Sequence, residues 1–196
     1  CDDDEALNYQ KQALNLFKQI GYQKGEAVQM ISMGNIYQRK GNYEEALNYY
    51  NYALSIYKKI NNEEGMPILL SNIGNIYLKK GENGEALQYY QQALKINKQT
   101  GNKEGEANQL GNIGRIFLHK GDIDEALKCF QQAYYMLRQT GNKEGEANQL
   151  GNIGNIHQEK GNIDSAVKYF QQALNLIKKA GNKEGEAVQL GNIGSL

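Results

Sequence analysis

The sequence predicts an all-α fold, a solenoid built from antiparallel helix pairs. Three observations carry that expectation. Glycine recurs every 40 residues, at Gly34, Gly74, Gly114, Gly154 and Gly194. Alanine keeps the same interval at Ala46, Ala86, Ala126 and Ala166, and again at Ala53, Ala93, Ala133 and Ala173. Between these markers the apolar residues fall three or four apart, the spacing of one buried helical face. A fixed period of this length marks one structural unit copied in tandem. Each unit covers its apolar face only with its neighbours, so the chain forms a stack with no single central core.

The elements follow in order. A lone second helix covers 2–20. Complete pairs lie near 24–60, 63–100, 103–140 and 143–180, and a partial helix occupies 183–196. The whole is read as one solenoid over 1–196, a fragment of a longer array. That reading is preferred over a lipid anchor at Cys1, which sits where later units carry Gly41 or Gly81.

The second helix of a pair is clearest at 121–140, where apolar or small residues stand at 123, 126, 127, 130, 133, 134 and 137. Asp122 is placed to cap its first turn, with Glu125 completing a capping box. Asn42 with Glu45 and Asp2 with Glu5 repeat the device, whereas Ser165 weakens it after Asn162. Gly141 ends the helix in the left-handed conformation. In the first helix at 143–160, Leu150, Ile153, Ile156 and His157 share a face. Asn142 is its N-cap and Gly161 its stop. A glycine inside a helix costs about 1 kcal/mol against alanine. Gly154 and its equivalents are therefore expected where the two helices come closest. Gly111, Gly151 and Gly191 thin the other face. Pro67, the only proline, belongs in a first turn, where a missing N–H is harmless.

Composition narrows the function. Lys and Arg total 22 against 22 Asp and Glu, so no basic field recommends nucleic acid. No stretch approaches the ~18 apolar residues that span a bilayer. Two cysteines, Cys1 and Cys129, make no disulfide framework and suit a reducing, cytoplasmic compartment. His119, His157 and Cys129 occupy different slots of the repeat, so no metal site is expected. No nucleophile–base pair or phosphate loop stands out, and neither catalysis nor a cofactor is expected.

The slots themselves resemble the tetratricopeptide repeat. A large apolar, small, aromatic, small, aromatic and small residue follow one another at set offsets. They are Met30, Gly34, Tyr37, Ala46, Tyr50 and Ala53 in the first pair, then Leu70, Gly74, Tyr77, Ala86, Tyr90 and Ala93. The third pair has Leu110, Gly114, Phe117, Ala126, Phe130 and Ala133; the fourth has Leu150, Gly154, His157, Ala166, Phe170 and Ala173. His157 replaces the expected aromatic, and the closing proline of the family is absent. The 40-residue units are similar to those of Pins-type adaptors and kinesin light chains.

The resemblance implies a right-handed superhelical solenoid whose first helices line a concave groove. Helical spacing from the packed glycine then puts Asn35, Asn72, Asn75, Asn108, Asn112, Arg115, Asn148, Asn152 and Asn155 on the inner row. An asparagine offers one carbonyl and two N–H donors, which match a peptide backbone. A ladder of them suits an extended segment of a protein partner, with Gly111 and Gly151 leaving room for its side chains. Arg115 suits a carboxylate. The same asparagines also suit caps and bonds between units. Tyr49, Tyr89 and Tyr169 are expected to pack between units with hydroxyls at the rim.

The favoured function is a protein-interaction scaffold. One alternative is head-to-tail self-association through Leu7, Leu14 and Phe17 at one end and Leu190 and Ile193 at the other. Another is the sensory part of a larger signalling protein.

Overall fold

The computed structural model describes residues 3–196. The Asp2–Glu5 capping pair and the reading of Cys1 lie outside the described residues. Among those residues the chain is ten α-helices without a strand. It divides into two compact units, Cys1–Thr100 and Gly101–Leu196. The first holds α1 (Asp3–Gln19), α2 (Gln23–Arg39), α3 (Tyr43–Lys59), α4 (Met66–Lys79) and α5 (Asn83–Thr100). The second holds α6 (Lys103–His119), α7 (Ile123–Thr140), α8 (Lys143–Glu159), α9 (Ile163–Ala180) and α10 (Lys183–Gly194). Within each unit every helix packs on the next in sequence.

Local signals set the helix ends. Asn102, Asn142 and Asn182 each accept the backbone N–H of a glycine three residues on, at 2.9 Å. Such a cap is worth about 1 kcal/mol. Asn42 accepts the Glu45 N–H at 3.3 Å. Asp122 departs from expectation. Its carbonyl accepts the Ala126 N–H at 3.0 Å, but its carboxylate makes no cap bond. Glu125, the other half of the expected box, pairs with Lys128. At the other end of α7, Gly141 takes φ 77°, and the N–H of Asn142 returns to the Leu137 carbonyl at 3.0 Å. Asn61 does the same work at φ 51°, in the left-handed region that asparagine tolerates. The helix after it starts at Met66, with Asn62 accepting the Gly65 N–H at 3.1 Å and Pro67 in the first turn.

The core of each pair is one ring set against one bare backbone. A Cβ placed on Gly34 would stand 2.5 Å from the Tyr50 ring, and one on Gly74 would stand 2.8 Å from Tyr90. The same distance is 2.7 Å from Gly114 to Phe130 and 2.6 Å from Gly154 to Phe170. All four rings are fully buried, as are the flanking alanines of α3, α5, α7 and α9.

Two expectations about exposed and inter-unit surfaces change. Leu7 and Leu14 are buried in the core that α1 shares with α2, and Phe17 is half-buried, edge-on to Tyr22. The apolar residues exposed on α1 and in the turn after it are Tyr9, Leu16 and Ile20. Tyr49, Tyr89 and Tyr169 stack inside their own pairs, on Tyr37, Tyr77 and His157 at 5.4, 5.4 and 5.1 Å. A flat ring at the first-helix slot, including the imidazole, supplies the partner face.

A polar residue occupies one core slot. Tyr57, Leu137 and Ile177 hold that slot at multiples of the 40-residue period, and all are buried. Asn97 takes the remaining place. It is 1% exposed, and neither its Oδ1 nor its Nδ2 has a partner. No described helix is long and apolar enough to cross a membrane.

Two stability measurements check this packing. Gly154→Ala is expected to cost about 1–3 kcal/mol through overpacking against Phe170. Gly191→Ala meets nothing within 4 Å and is expected to be neutral or stabilising by up to about 1 kcal/mol. Equal losses in denaturant melts would refute the ring-contact account. Asn97→Leu is expected to stabilise by about 1–3 kcal/mol, because it removes two unpartnered buried polar atoms. A lower melting temperature would refute that.

Candidate functional site

The first helices of the second unit carry one motif three times: Gly111-Asn112-Ile113-Gly114, Gly151-Asn152-Ile153-Gly154 and Gly191-Asn192-Ile193-Gly194. Ile113 and Ile153 are buried, and Gly114 and Gly154 lie against the rings of their pairs. That contact turns the remaining positions away from the pair. Asn112 and Asn152 are half-buried, while Asn108, Arg115, Asn148 and Asn155 are exposed.

These side chains meet in a cavity of about 550 Å³ lined only by α6, α8 and α10. From α6 come Asn108, Gly111, Asn112 and Arg115; from α8 come Asn148, Gln149, Gly151, Asn152 and Asn155. Val188, Gln189 and Asn192 of α10 complete it. Six of the nine residues read from the sequence as an inner row therefore share one cavity. No carboxylate lines it, and Arg115 is its one cation.

The glycines of this surface have a different role from the one expected. A Cβ on Gly111 would stand 3.1 Å from Gln149 Oε1, and one on Gly151 would stand 3.3 Å from Gln189 Nε2. The space is taken by the glutamine of the following repeat. Gln149 and Gln189 are buried, and each accepts a long 3.4 Å bond from its own helix, from Asn152 and Asn192 respectively. Their amide N–H groups make no bond among the described residues. Sequence reasoning passed over them, although Gln109, Gln149 and Gln189 recur at the repeat interval and signal a shared role.

The other three candidates, Asn35, Asn72 and Asn75, belong to the first unit. Tyr90 donates to Asn75 Oδ1 at 2.7 Å. The Tyr50 hydroxyl lies 2.6 Å from Asn35 Oδ1 and 2.8 Å from Gln38 Oε1. With one proton it donates to one of them at a time. Burial pushes Tyr50 up to about 12 and raises Tyr49 and Tyr89 as well. In the second unit the equivalent rings are Phe130 and Phe170, which have no hydroxyl. Asn155 therefore stays available to the cavity, as does Arg115 in the same slot.

The chemistry of the cavity is hydrogen bonding and one positive charge. Among the described residues no three His, Cys, Asp or Glu side chains gather as a metal site. Cys129 is a half-buried free thiol packed near Gly114, and burial raises its pKa away from reactivity.

Stacked helix pairs with amide-bearing first helices define a tandem helical-repeat protein. A tetratricopeptide repeat profile matches residues 1–59 and 65–139, and a second profile of the same repeat matches 150–179. The chain belongs to the tetratricopeptide repeat family. Members are in general non-catalytic scaffolds for protein interaction. No curated protein matches the sequence. Among solved structures, BtubC (BKLC) from P. vanneervenii is similar over 100% of this chain and 83% of its own, with a TM-score of 0.85 at 16% identity. MamA is similar over 92% of this chain and 91% of its own, with a TM-score of 0.64 at 19% identity. A signal transduction ATPase with numerous domains and a tetratricopeptide repeat sensor, from Pyrococcus horikoshii, has a TM-score of 0.76 at 20% identity. It is similar over 87% of this chain and 27% of its own. At these identities the likeness is one of fold.

The tyrosine–asparagine bonds make a testable contribution. Tyr50→Phe is expected to cost about 0.5–1.5 kcal/mol at neutral pH. The raised pKa also implies stability that is complete below 10.0 and lost as pH rises through about 12, because the folded state holds the proton more tightly. Tyr50→Phe should flatten that alkaline loss. Parallel melts of both proteins from pH 9 to 12 check it, and identical slopes would contradict the assignment.

Proposed function

We propose that the 550 Å³ cavity of the second unit binds an extended segment of a protein partner. The observation that carries this reading is the row of amides from three successive repeats, of which Asn152 and Asn192 each spend one N–H on a long 3.4 Å bond to Gln149 and Gln189 and keep the rest of their bonding capacity. Asn112, Asn152 and Asn192 offer both donors and acceptors, and Gln149 and Gln189 add N–H groups from the floor. An extended backbone presents carbonyls and N–H groups along its length, and this set can take both. Preformed helices hold the amides, so little ordering cost falls on the protein when the ligand arrives. Arg115 has no ion-pair partner among the described residues and provides a fork for one carboxylate of the ligand. The free thiol at Cys129 supports a reducing compartment, and we place this function in the cytoplasm.

Peptides selected on the chain from a random display library provide the test. Calorimetric titration of the best binder is expected to show at least about tenfold weaker binding to the Asn112→Ala/Asn152→Ala/Asn155→Ala variant, a loss of about 1.4 kcal/mol or more. Unchanged affinity for a folded variant would sink the amide-row reading.

A further inference from the structure

We propose that the second unit carries another peptide-docking site, on the face built by its second helices. The groove lies between α7 and α9, and its occupant is a segment that presents an apolar side chain beside a carboxylate. A cavity of about 380 Å³ opens there. Its floor is Leu150 and Ile153, both buried, and its walls include Tyr134, Tyr135 and Tyr169. Tyr134 and Tyr135 meet edge to face at 5.2 Å and 65°, and Tyr135 is 59% exposed. An exposed tyrosine wall over an aliphatic floor is the surface that captures a large apolar side chain.

The repeat grid shows that this groove is a departure from the copied pattern. Tyr134-Tyr135 stands where other units have Leu54-Ser55, Leu94-Lys95 and Leu174-Asn175. Leu54 and Leu174 are buried and Leu94 is half-buried, whereas this groove carries the larger half-buried Tyr134 beside the exposed Tyr135. The third departure concerns charge. Glu45, Glu85 and Glu125 hold one slot, and Ser165 replaces them beside this groove. In α7, Lys128 pairs with Glu125 three residues back. Its counterpart Lys168 has Ser165 at that position, makes no ion pair among the described residues and lines the groove. No carboxylate lines the groove with it. The missing carboxylate is what the partner supplies. An adjoining hollow of about 260 Å³ shares Tyr134, Leu150 and Gln172 but holds both Arg138 and Glu146, so the demand for a negative charge is local to Lys168.

The site stands apart from the amide cavity and is tested separately. The probe is a fluorescein-labelled peptide with one tryptophan flanked by aspartates, beside an otherwise identical peptide with asparagines in place of the aspartates. Fluorescence anisotropy is expected to show the acidic peptide binding, with an affinity that falls as salt rises. Ser165→Glu and Tyr134→Leu/Tyr135→Asn each restore residues that other repeats carry, so both variants should fold, which thermal melts verify. Each is expected to weaken binding by at least about tenfold. The Asn112→Ala/Asn152→Ala/Asn155→Ala variant is expected to bind the acidic peptide unchanged. Failure of that peptide to bind, equal binding of the neutral one, or unchanged affinity in Ser165→Glu overturns the proposal. Loss of binding in the asparagine variant places the peptide in the amide cavity and overturns it equally.

Discussion

The contact on which the rest depends is an aromatic ring seated against the bare Cα of a glycine. Tyr50, Tyr90, Phe130 and Phe170 fill the space that a Cβ on Gly34, Gly74, Gly114 and Gly154 would need. Fully burying such a ring is worth roughly 1.5–3 kcal/mol, which exceeds the ~1 kcal/mol that an interior helical glycine costs against alanine. The balance favours the glycine only where the ring is present. Gly194 and Gly191 meet nothing within 4 Å among the described residues. The contact also fixes how each first helix is rotated. With Gly114 and Ile113 turned to the pair, Asn112 and Arg115 have to face away. The polar row is therefore a consequence of how the core packs.

Most of the fold was legible because one period governs it. A glycine that recurs every 40 residues inside a helix has to be explained by a close approach, and the ring contacts supply it. The helix ends were legible where an asparagine precedes a first helix, since that residue caps from its own side chain. The box at Asp122 was misread in both halves: Asp122 accepts the Ala126 N–H only through its backbone carbonyl, and Glu125 pairs with Lys128, one turn on. Leu7 and Leu14 were misread because exposure depends on the neighbouring helix, and α2 covers them.

The site was legible in part, for a related reason. Spacing within one helix found Asn108, Asn112, Arg115, Asn148, Asn152 and Asn155, which the second unit brings to one cavity. It could not find contacts made across helices. The Tyr50 hydroxyl reaches Asn35 from fifteen residues away, and Gln149 fills the gap beside Gly111 from the next repeat. The change from tyrosine to phenylalanine between the units looks conservative in sequence. It removes the one hydroxyl that holds the asparagine oxygen in the first unit, and so alters what that slot can offer.

Tandem copying makes identity between units a poor guide to use. Asn102–Ile113 and Asn142–Ile153 read the same, and that sameness follows from duplication as readily as from a shared task. Departures from the grid carry more information, because each has to be accommodated by neighbours built for another residue. Asn97 is accommodated at a cost, with two polar atoms buried and unpartnered. Arg115 replaces asparagine and brings the only charge into the amide cavity. Tyr134, Tyr135 and Ser165 fall together around one groove and change its shape and its charge at once. Three substitutions that converge on one surface, adding aromatic rings and freeing a lysine, are harder to attribute to drift than one alone. On the two proposals made above, the two surfaces have diverged from the same template in different chemical directions, one toward amides and one toward aromatic rings and a lysine, and would hold two segments without competition between them.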